Sequence, residues 1–400
     1  MIQFSQEQST LINRAIDWYK YSSELVFQYC GVAGTGKSLV LSEIIRRLGI
    51  PKNRIAPMTY TGAAAIVLRE KGITNAKTIH SWLYHPVEDV VYNADGSIER
   101  DEYFDRPKFR LTFEPKPLEN IDLIVIDEAS MVPRNMKNEI ESRGIKIIAT
   151  GDLGQLPPVS DEPAYLYDGA VYQLTEIHRQ ALDSGIVYIA DRVRRGLPIY
   201  KGDYGEVMVI GEDQLTNQMI LESDVVLCGT NRTRDFINKK VREELFNYTS
   251  DLPSYGEIMV CRKNNWDLEI SGINLVNGTR GKVINEPGVE SFDGKTYKID
   301  FMPFGMEKHN KYFSGLECDY RYLIAPSDKK NLVKKDKFSK GEKMEFAYAL
   351  TTHLSQGSQY PKVVYIEEYL NKDIQNQLNY TGVTRASHGL IYVTRKKKYY

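Results

Sequence analysis

The sequence is poor in the features that would settle its class at a glance. Only four cysteines occur in 400 residues. Cys30, Cys228, Cys261 and Cys318 stand far apart, with no Cys-x-x-Cys pair and no Cys/His cluster at metal spacing, so neither a disulfide framework nor a zinc site is indicated. That usage fits a reducing, cytoplasmic setting. Nowhere are there ~18 consecutive apolar residues, and the first twenty positions mix charge and polarity from the start, so neither a membrane span nor a signal peptide is expected. A dominant charge is also missing: 52 Lys+Arg face 53 Asp+Glu, a formal net charge of −1 with a pI near 6.6. Bulk-charge binding to nucleic acid, with its usual pI above ~9, is excluded. The total conceals a segregation, however. Residues 1–80 carry ten Lys/Arg against five Asp/Glu, whereas 81–178 carry nine against nineteen. No internal repeat is found, and the only biased tract is the lysine-rich segment 329–340.

What is present is ordinary core-forming material, 42% hydrophobic, in a chain long enough for two to four domains at ~100–200 residues each. Short, bounded runs that are apolar on both faces occur at 25–30, 121–126, 145–150, 224–228 and 362–366. Such runs are expected of parallel strands covered by helices, so the fold class is α/β. The strands fall in two groups, before about residue 175 and after about 220, which predicts two tandem cores. Residues 84–116 are polar, with Asn93-Ala-Asp-Gly96 as a turn signal between Val90-Val-Tyr92 and Phe109-Arg-Leu-Thr-Phe113, and read as a β-hairpin insertion in the first core. Residues 257–340 alternate strand and turn signals and read as a small β-barrel inserted in the second. The expected boundaries are 1–83 with 117–175, and 176–256 with 341–400.

Gly31-Val-Ala-Gly34-Thr35-Gly36-Lys37-Ser38 matches G-x-x-x-x-G-K-[ST] between a predicted strand and a predicted helix. Glycines let backbone N–H groups wrap phosphate oxygens, Lys37 supplies a point charge, and Ser38 offers a Mg²⁺ ligand. A purely structural glycine turn is the alternative. Ile124-Val-Ile-Asp127-Glu128 then places two acids at the end of an apolar strand. The first can hold Mg²⁺ and the second can orient and deprotonate a water, which hydrolysis needs and transfer to a small substrate does not. A solvated acidic strand end is the plainer reading of the pair.

With the motifs that follow them, these two resemble superfamily 1 group B DNA helicases of the RecD/Dda type, closest in layout and size to the phage Dda-like helicases, from Phe4 to about Val393. The resemblance implies two RecA-like P-loop cores, with the hairpin acting as a pin and the barrel being similar to an SH3 domain. Phe4-Ser-Gln-Glu-Gln8 looks like the motif whose glutamine reads the adenine edge, although an exposed Gln near a helix start is about as common. Thr59-Tyr-Thr61-Gly62 is similar to the motif that holds DNA phosphates, with Tyr60 where the family usually has Pro. Thr78-Ile-His80 matches the next DNA-contacting motif, while a lone His is otherwise structural. Ala149-Thr-Gly-Asp152-Leu-Gly-Gln155-Leu-Pro-Pro158 resembles the motif linking the two sites, and Leu174-Thr-Glu-Ile-His-Arg179 carries an arginine assigned to the γ-phosphate. At the far end, Thr351-Thr-His353-Leu-Ser-Gln356-Gly357 resembles T-x-H-K-[SA]-Q-G with Leu354 in place of Lys and Gln359 where an acid is common, and Tyr380-Thr-Gly-Val-Thr384-Arg385 resembles the last motif.

The resemblance thus implies a catalytic set of Lys37, Asp127, Glu128, Gln155, Arg179 and Arg385. The nucleotide set is Gln8, Gly31, Gly34, Thr35, Gly36, Lys37, Ser38, Gln356 and Gly357, with Mg²⁺ on Ser38 and Asp127. Thr61, Gly62, His80, Thr351, His353 and Asn231 form the nucleic-acid set, and Tyr92, Tyr103 and Phe104 are candidate pin aromatics, although packing within the hairpin is the commoner role for any single one. The expected activity is an ATP-dependent, single-stranded-DNA-stimulated translocase and helicase moving 5′ to 3′ on forked DNA in replication, recombination or repair. It is expected to be monomeric and without membrane attachment, in the host cytoplasm if phage-encoded, with a single-stranded-DNA-binding protein or replisome components as protein partners. An RNA helicase or RNA-stimulated NTPase, and a regulatory nucleotide-binding module, are the alternatives, because only a 2′-OH contact separates RNA from DNA and no string reveals one.

Overall fold

A computed structural model describes residues 3–93, 95–100, 109–157, 164–167, 169, 171–177, 183–270, 273–286, 295–307, 310–335, 340–370 and 374–395. Helix α1, Gln6–Tyr21, begins on Ser5, whose side chain accepts the Gln8 N–H while the Gln8 side chain accepts the Ser5 N–H, a reciprocal cap. Its apolar stripe, Leu11, Ile12, Ala15 and Trp18, is buried together with Val40, Leu41 and Ile44 of α2, Lys37–Leu48. Among the described residues no helix is long and apolar enough to cross a membrane.

The first sheet is built from β1 (Val26–Gly31), β2 (Ile55–Thr59) and β3 (Lys77–Thr78), then, past a hairpin of β4 (Tyr84–Val90) and β5 (Phe109–Pro115), from β6 (Leu123–Asp127), β7 (Lys146–Gly151) and β8 (Val171–Leu174). Its order is β3-β2-β6-β7-β1-β8 and every pairing is parallel. The strands are apolar throughout because helices cover both faces, and the carboxyl ends of β1, β6 and β7 emerge side by side, where ligands of open α/β sheets bind. The hairpin pairs Tyr84 with Pro115 through to Val90 with Phe109. The turn at Asn93 does not lead straight back to Phe109. It closes its own bridge, Tyr92 to Ile98, with Asn93 N–H donating to Ser97 O at 2.8 Å.

The second sheet takes β9 (Gly202–Asp203), β10 (Val207–Gly211) and β11 (Val225–Cys228), and resumes much later with β19 (Ala349–Thr351), β20 (Tyr360–Ile366) and β21 (Ala386–Thr394). The order is β19-β11-β20-β21-β10-β9, parallel except for the β9 edge. This core therefore starts its strands near 202, earlier than the sequence reading places them. Val207-Met-Val-Ile-Gly211 pairs with β21, about 180 positions later, and locally only with the two-residue β9.

Between them lie β12 (Ile258–Cys261), β13 (Asn265–Ile270), β14 (Ile273–Leu275), β15 (Arg280–Val283), β16 (Thr296–Pro303), β17 (Phe313–Asp319) and β18 (Met344–Phe346). Five of these form an antiparallel sheet, β17-β16-β15-β12-β18, around Met259, Tyr297, Ile299 and Phe301, and β13-β14 form a separate ribbon. The sheet's edge strand β18 falls beyond the expected boundary at 340. It pairs with β12 before the chain enters β19. The ribbon docks on the first core: Ser81 Oγ donates to Asn274 Oδ1 at 3.1 Å, and a Cβ on Gly62 would stand 2.6 Å from Val276 Cγ2.

Candidate functional site

The loop after β1 takes its shape from glycines. Gly34 and Gly36 sit at φ 85° and 78°, in the left-handed region that side chains disfavour, and Gly36 opens α2. A Cβ on Gly31 would lie 2.5 Å from Thr35 Oγ1. Thr35, fully buried, ties the loop by donating to Val32 O at 2.9 Å. Lys37 Nζ donates to Gly31 O at 2.7 Å and Val32 O at 3.3 Å, and lies 3.7 Å from Asp152 Oδ2.

This loop opens into a cleft of about 1280 Å³ walled by both cores. Ser38, Asp127, Glu128 and Gln155 line it from the first core, Gly357 and Arg385 from the second. Asp127 ends β6 and accepts the Glu128 N–H at 3.0 Å. Glu128 has φ 52° and ψ 40°, a left-handed backbone rare for residues other than glycine and costly to hold. Burial pushes both carboxyls above the ordinary range. For Asp127 the nearby Lys71 charge opposes this most, and for Glu128 the Arg385 guanidinium does. Glu128 Oε2, Ser130 Oγ and Gln155 Oε1 are buried with no hydrogen-bond partner among the described residues. Glu128 and Gln155 both line the cleft, and such orphaned polar atoms mark a site whose remaining partners come from a ligand.

The donor set fits a magnesium nucleotide. Among the described residues no group of three or more His, Cys, Asp or Glu is arranged as a metal cage. A Mg²⁺ ion takes one or two protein oxygens and completes its shell with phosphate and water, and Ser38 and Asp127 are of that type. Lys71, which the sequence reading passed over, donates to Ser38 Oγ at 3.4 Å from the C-terminal end of α3 (Gly62–Glu70). No motif carries it.

The second core reaches the cleft through two segments. Gln356 donates to Leu156 O at 2.8 Å, and Thr381 Oγ1 accepts the Leu156 N–H at 2.9 Å. Arg385 is buried and held by the carbonyls of Thr381 (3.1 Å) and Ser358 (3.2 Å). Gly357, at φ 77°, meets the first core so closely that a Cβ there would lie 2.4 Å from Thr61 Oγ1. Leu354 packs at the edge of the second core's hydrophobic cluster, as do Val32 and Ala33 of the phosphate loop. An apolar residue in the usual lysine position therefore has a packing role. Arg179 lies outside the described residues, as do Tyr103 and Phe104.

Gln8 also lines the cleft, but its amide is engaged. Nε2 donates to Thr35 O at 3.1 Å and Oε1 accepts the Ser5 N–H at 3.1 Å, so Gln8 braces the loop, and reading an adenine edge requires it to exchange these partners. The nucleic-acid set is brought together only in part. Thr61 caps α3, accepting the Ala64 N–H, and faces Gly357, while Gly62 lies under Val276. Thr351 Oγ1 accepts the Leu354 N–H at 3.4 Å. His80 lies against Tyr84 at the hairpin base, ring centres 5.8 Å apart, and burial lowers its pKa, as it does that of His353. Asn231 stands exposed at the start of helix Asn231–Lys240 on the second core, and no described contact joins it to the others.

Comparison with known proteins adds the following. Residues 3–204 match the AAA domain family, and residues 346–393 match the UvrD-like helicase C-terminal domain. Uncharacterized protein MJ1519 of Methanocaldococcus jannaschii is 25% identical across 92% of this chain and 36% of its own length. The chain spans about a third of the first curated relatives it matches. ATP-dependent DNA helicase dda of Enterobacteria phage T4 is 24% identical, with 91% of this chain and 93% of that protein covered. Among solved structures, Pif1 helicase from Bacteroides in complex with ADP-AlF3 and ssDNA aligns over 98% of this chain and 92% of its own, with 14% identity and a TM-score of 0.52. The fold is thus the α/β fold of Pif1 structures, with RecA-like P-loop domains.

Proposed function

We propose that this chain, which belongs to the AAA domain family and is of the superfamily 1 Pif1/RecD/Dda type, is an ATP-driven DNA helicase that advances 5′ to 3′ along single-stranded DNA. One observation carries the reading: the cleft that holds Lys37, Asp127 and Glu128 of the first core is closed on its other side by Arg385 of the second. Nucleotide bound there touches both cores, so binding draws them together and hydrolysis lets them part.

The residues divide the chemistry. Backbone N–H groups of the Gly34–Ser38 turn cradle the phosphates, and the Lys37 ammonium, aimed by the Gly31 and Val32 carbonyls, neutralises the outer ones. Ser38 and Asp127 would hold Mg²⁺, which when bound would neutralise phosphate charge. Glu128, whose proton affinity is raised by burial, takes a proton from the attacking water. Gln155 orients that water or the terminal phosphate through Oε1, which has no partner among the described residues, and Arg385, with Arg179, offsets charge that spreads over the transferred group. Single-stranded DNA crosses both cores over Thr61, Gly62, His80, Thr351, His353 and Asn231. The 84–115 hairpin is the pin that parts the strands, and the 258–346 antiparallel sheet is an SH3-like brace for it. The dda relative is named as an ATP-dependent DNA helicase, and the Bacteroides Pif1 structure holds ADP-AlF3 and ssDNA. Both support the choice of ligands.

The test is steady-state ATP hydrolysis with and without single-stranded DNA or RNA, followed by unwinding of duplexes bearing a 5′ or a 3′ tail. We expect DNA to stimulate turnover and only the 5′-tailed duplex to be opened. A folded protein that DNA does not stimulate ends the helicase reading. Stimulation by RNA alone transfers it to RNA, and opening of the 3′-tailed duplex reverses the polarity.

A further inference from the structure

Helix Gln375–Val383 of the second core sends one hydroxyl into the phosphate loop of the first. Tyr380 is 1% exposed. Its Oη accepts the Ala33 N–H at 2.8 Å and donates to Asp152 Oδ2 at 2.6 Å. The same Oδ2 lies 3.7 Å from Lys37 Nζ, while Oδ1 accepts the Gly154 N–H at 2.9 Å. A phenol has a single proton, and here it is spent on Asp152. Burial and the Asp152 charge raise the phenol's pKa well above its ordinary value, so the proton is present at any working pH.

The ring is placed as tightly as the hydroxyl. A Cβ on Gly154 would stand 2.9 Å from Tyr380 Cε1, and Gly154 is not at positive φ, so the glycine there makes room for the ring. Val32 and Ala33 of the loop pack against the hydrophobic cluster of the second core to which Tyr380 belongs. The next residue, Thr381, holds the Leu156 N–H. One turn of helix therefore touches the phosphate loop, Asp152 and Leu156 together, all of them in the first core.

We propose that Tyr380 is a positioning residue that ties the pose of the second core to the charge balance around Lys37. A close ammonium–carboxylate contact is about 2.7–2.9 Å. Lys37 and Asp152 are held short of that at 3.7 Å, because Oδ2 is shared with the phenol proton and Lys37 keeps its two carbonyl contacts. When the second core shifts and withdraws the phenol, Asp152 becomes free to draw Lys37 off the phosphates, and the Ala33 N–H is released. A movement of one core is thereby felt at the group that grips nucleotide in the other.

The inference rests on the nucleotide-hydrolysing reading of the cleft, so its test includes a binding measurement that needs no turnover. Tyr380→Phe keeps the ring and its packing and removes only the hydroxyl, both the proton given to Asp152 and the oxygen that accepts the Ala33 N–H. We expect its melting temperature to stay within about 3 °C of the parent, its affinity for a fluorescent ADP analogue with Mg²⁺ to fall about 10-fold, and its DNA-stimulated turnover to fall by a similar factor. In an Asp152→Asn background, where the charge restrained by the phenol is gone, the same change is expected to cost less than about 2-fold. ADP affinity within about 2-fold of the parent, or an equal loss in both backgrounds, overturns the proposal. If the parent protein hydrolyses no ATP, the helicase reading fails by itself, while the ADP titration still decides the role of Tyr380.

Discussion

Gln356 Nε2 donates to the Leu156 carbonyl at 2.8 Å across 200 positions of chain. Thr381 takes the N–H of the same residue, so both backbone groups of Leu156, next to Gln155, are satisfied by the other core. Gln356→Ala or Thr381→Val leaves a buried backbone group unpaired, a cost of about 1–3 kcal/mol. Each is expected to lower ATP turnover about 10-fold or more, and the double variant is expected to lose less than the product of the two, because both act on one residue. Steady-state hydrolysis checks this; multiplicative losses would show that the two contacts act separately.

Lys37→Ala removes the side-chain cation that the loop's own carbonyls aim into the cleft. Turnover is expected to fall by about 10³-fold, with single-stranded DNA affinity within about 3-fold of the parent, because none of the expected DNA contacts involves the loop. Filter binding or fluorescence anisotropy measures the second quantity. Loss of DNA binding in parallel would mean that the lysine holds the fold rather than the phosphates.

Glu128 combines a left-handed backbone with a carboxyl whose proton affinity burial raises. A raised folded-state pKa means that the charged form is penalised on folding. Stability is therefore full below the unfolded value near 4.5 and declines as pH rises through the folded one. Glu128→Gln cannot ionise. It is expected to lose nearly all turnover yet to melt about 2 °C or more above the parent at pH 8, with the gain vanishing as pH falls towards 4.5. Calorimetry at several pH values decides, and a variant that melts lower at pH 8 would refute the argument.

The cores and most of the cleft were legible in the sequence, and the reasons are local. Apolar-on-both-faces strands such as Leu123–Asp127 and Val225–Cys228 announce a covered parallel sheet, and the glycine spacing of 31–38 specifies a loop that only glycine backbones form. What escaped is what long-range pairing decides. Strand β10 owes its place in the sheet mainly to its distant partner β21, and β18 to β12. Lys71 gains its place from tertiary approach, with no spacing rule to flag it, and Tyr380, though it opens the last motif, gains its contacts to Ala33 and Asp152 the same way. The lysine-rich segment 329–340, marked in the sequence only by its composition, is partly structural: Lys330 lies 3.1 Å from the buried Glu345.

Glu345 is the anion of that cluster, flanked also by Arg234 and Arg262, each at 3.2 Å, and these cations hold its pKa below the ordinary range against burial. Arg234 belongs to the second core, Glu345 to the edge strand of the inserted sheet, and the contact joins the two. Glu345→Ala strands three cations beside a buried pocket, a loss of about 3–5 kcal/mol, and is expected to lower the melting temperature by about 6 °C or more. Because the carboxyl pKa is depressed, the parent's advantage is present above 4.5 and fades as pH falls through the lowered value. Thermal melts at pH 7 and pH 4 measure it, and equal deficits at both would rule out the charge argument.

The hairpin offers the sharpest separation of strand opening from motor action. Its ladder ends at Val90 and Phe109, and beyond it Tyr92 is 62% exposed beside the Asn93–Gly96 turn. An exposed ring at the end of a paired ribbon has a free face on which a terminal base pair can stack, at about 1–3 kcal/mol per base. His80 and Tyr84 meet at the ribbon's base, so shortening its far end leaves the cleft and the expected DNA contacts in place. Replacing residues 91–108 by a two-residue Asn-Gly turn is expected to keep DNA-stimulated ATP hydrolysis within about 3-fold of the parent and to lower fork unwinding by about 10-fold or more. Tyr92→Ala is expected to produce a smaller loss in the same direction. The measurement pairs an ATPase assay with strand-displacement kinetics on one forked substrate. Proportional loss in both assays would mean that the ribbon supports the motor, and undiminished unwinding would move the pin elsewhere in the fold.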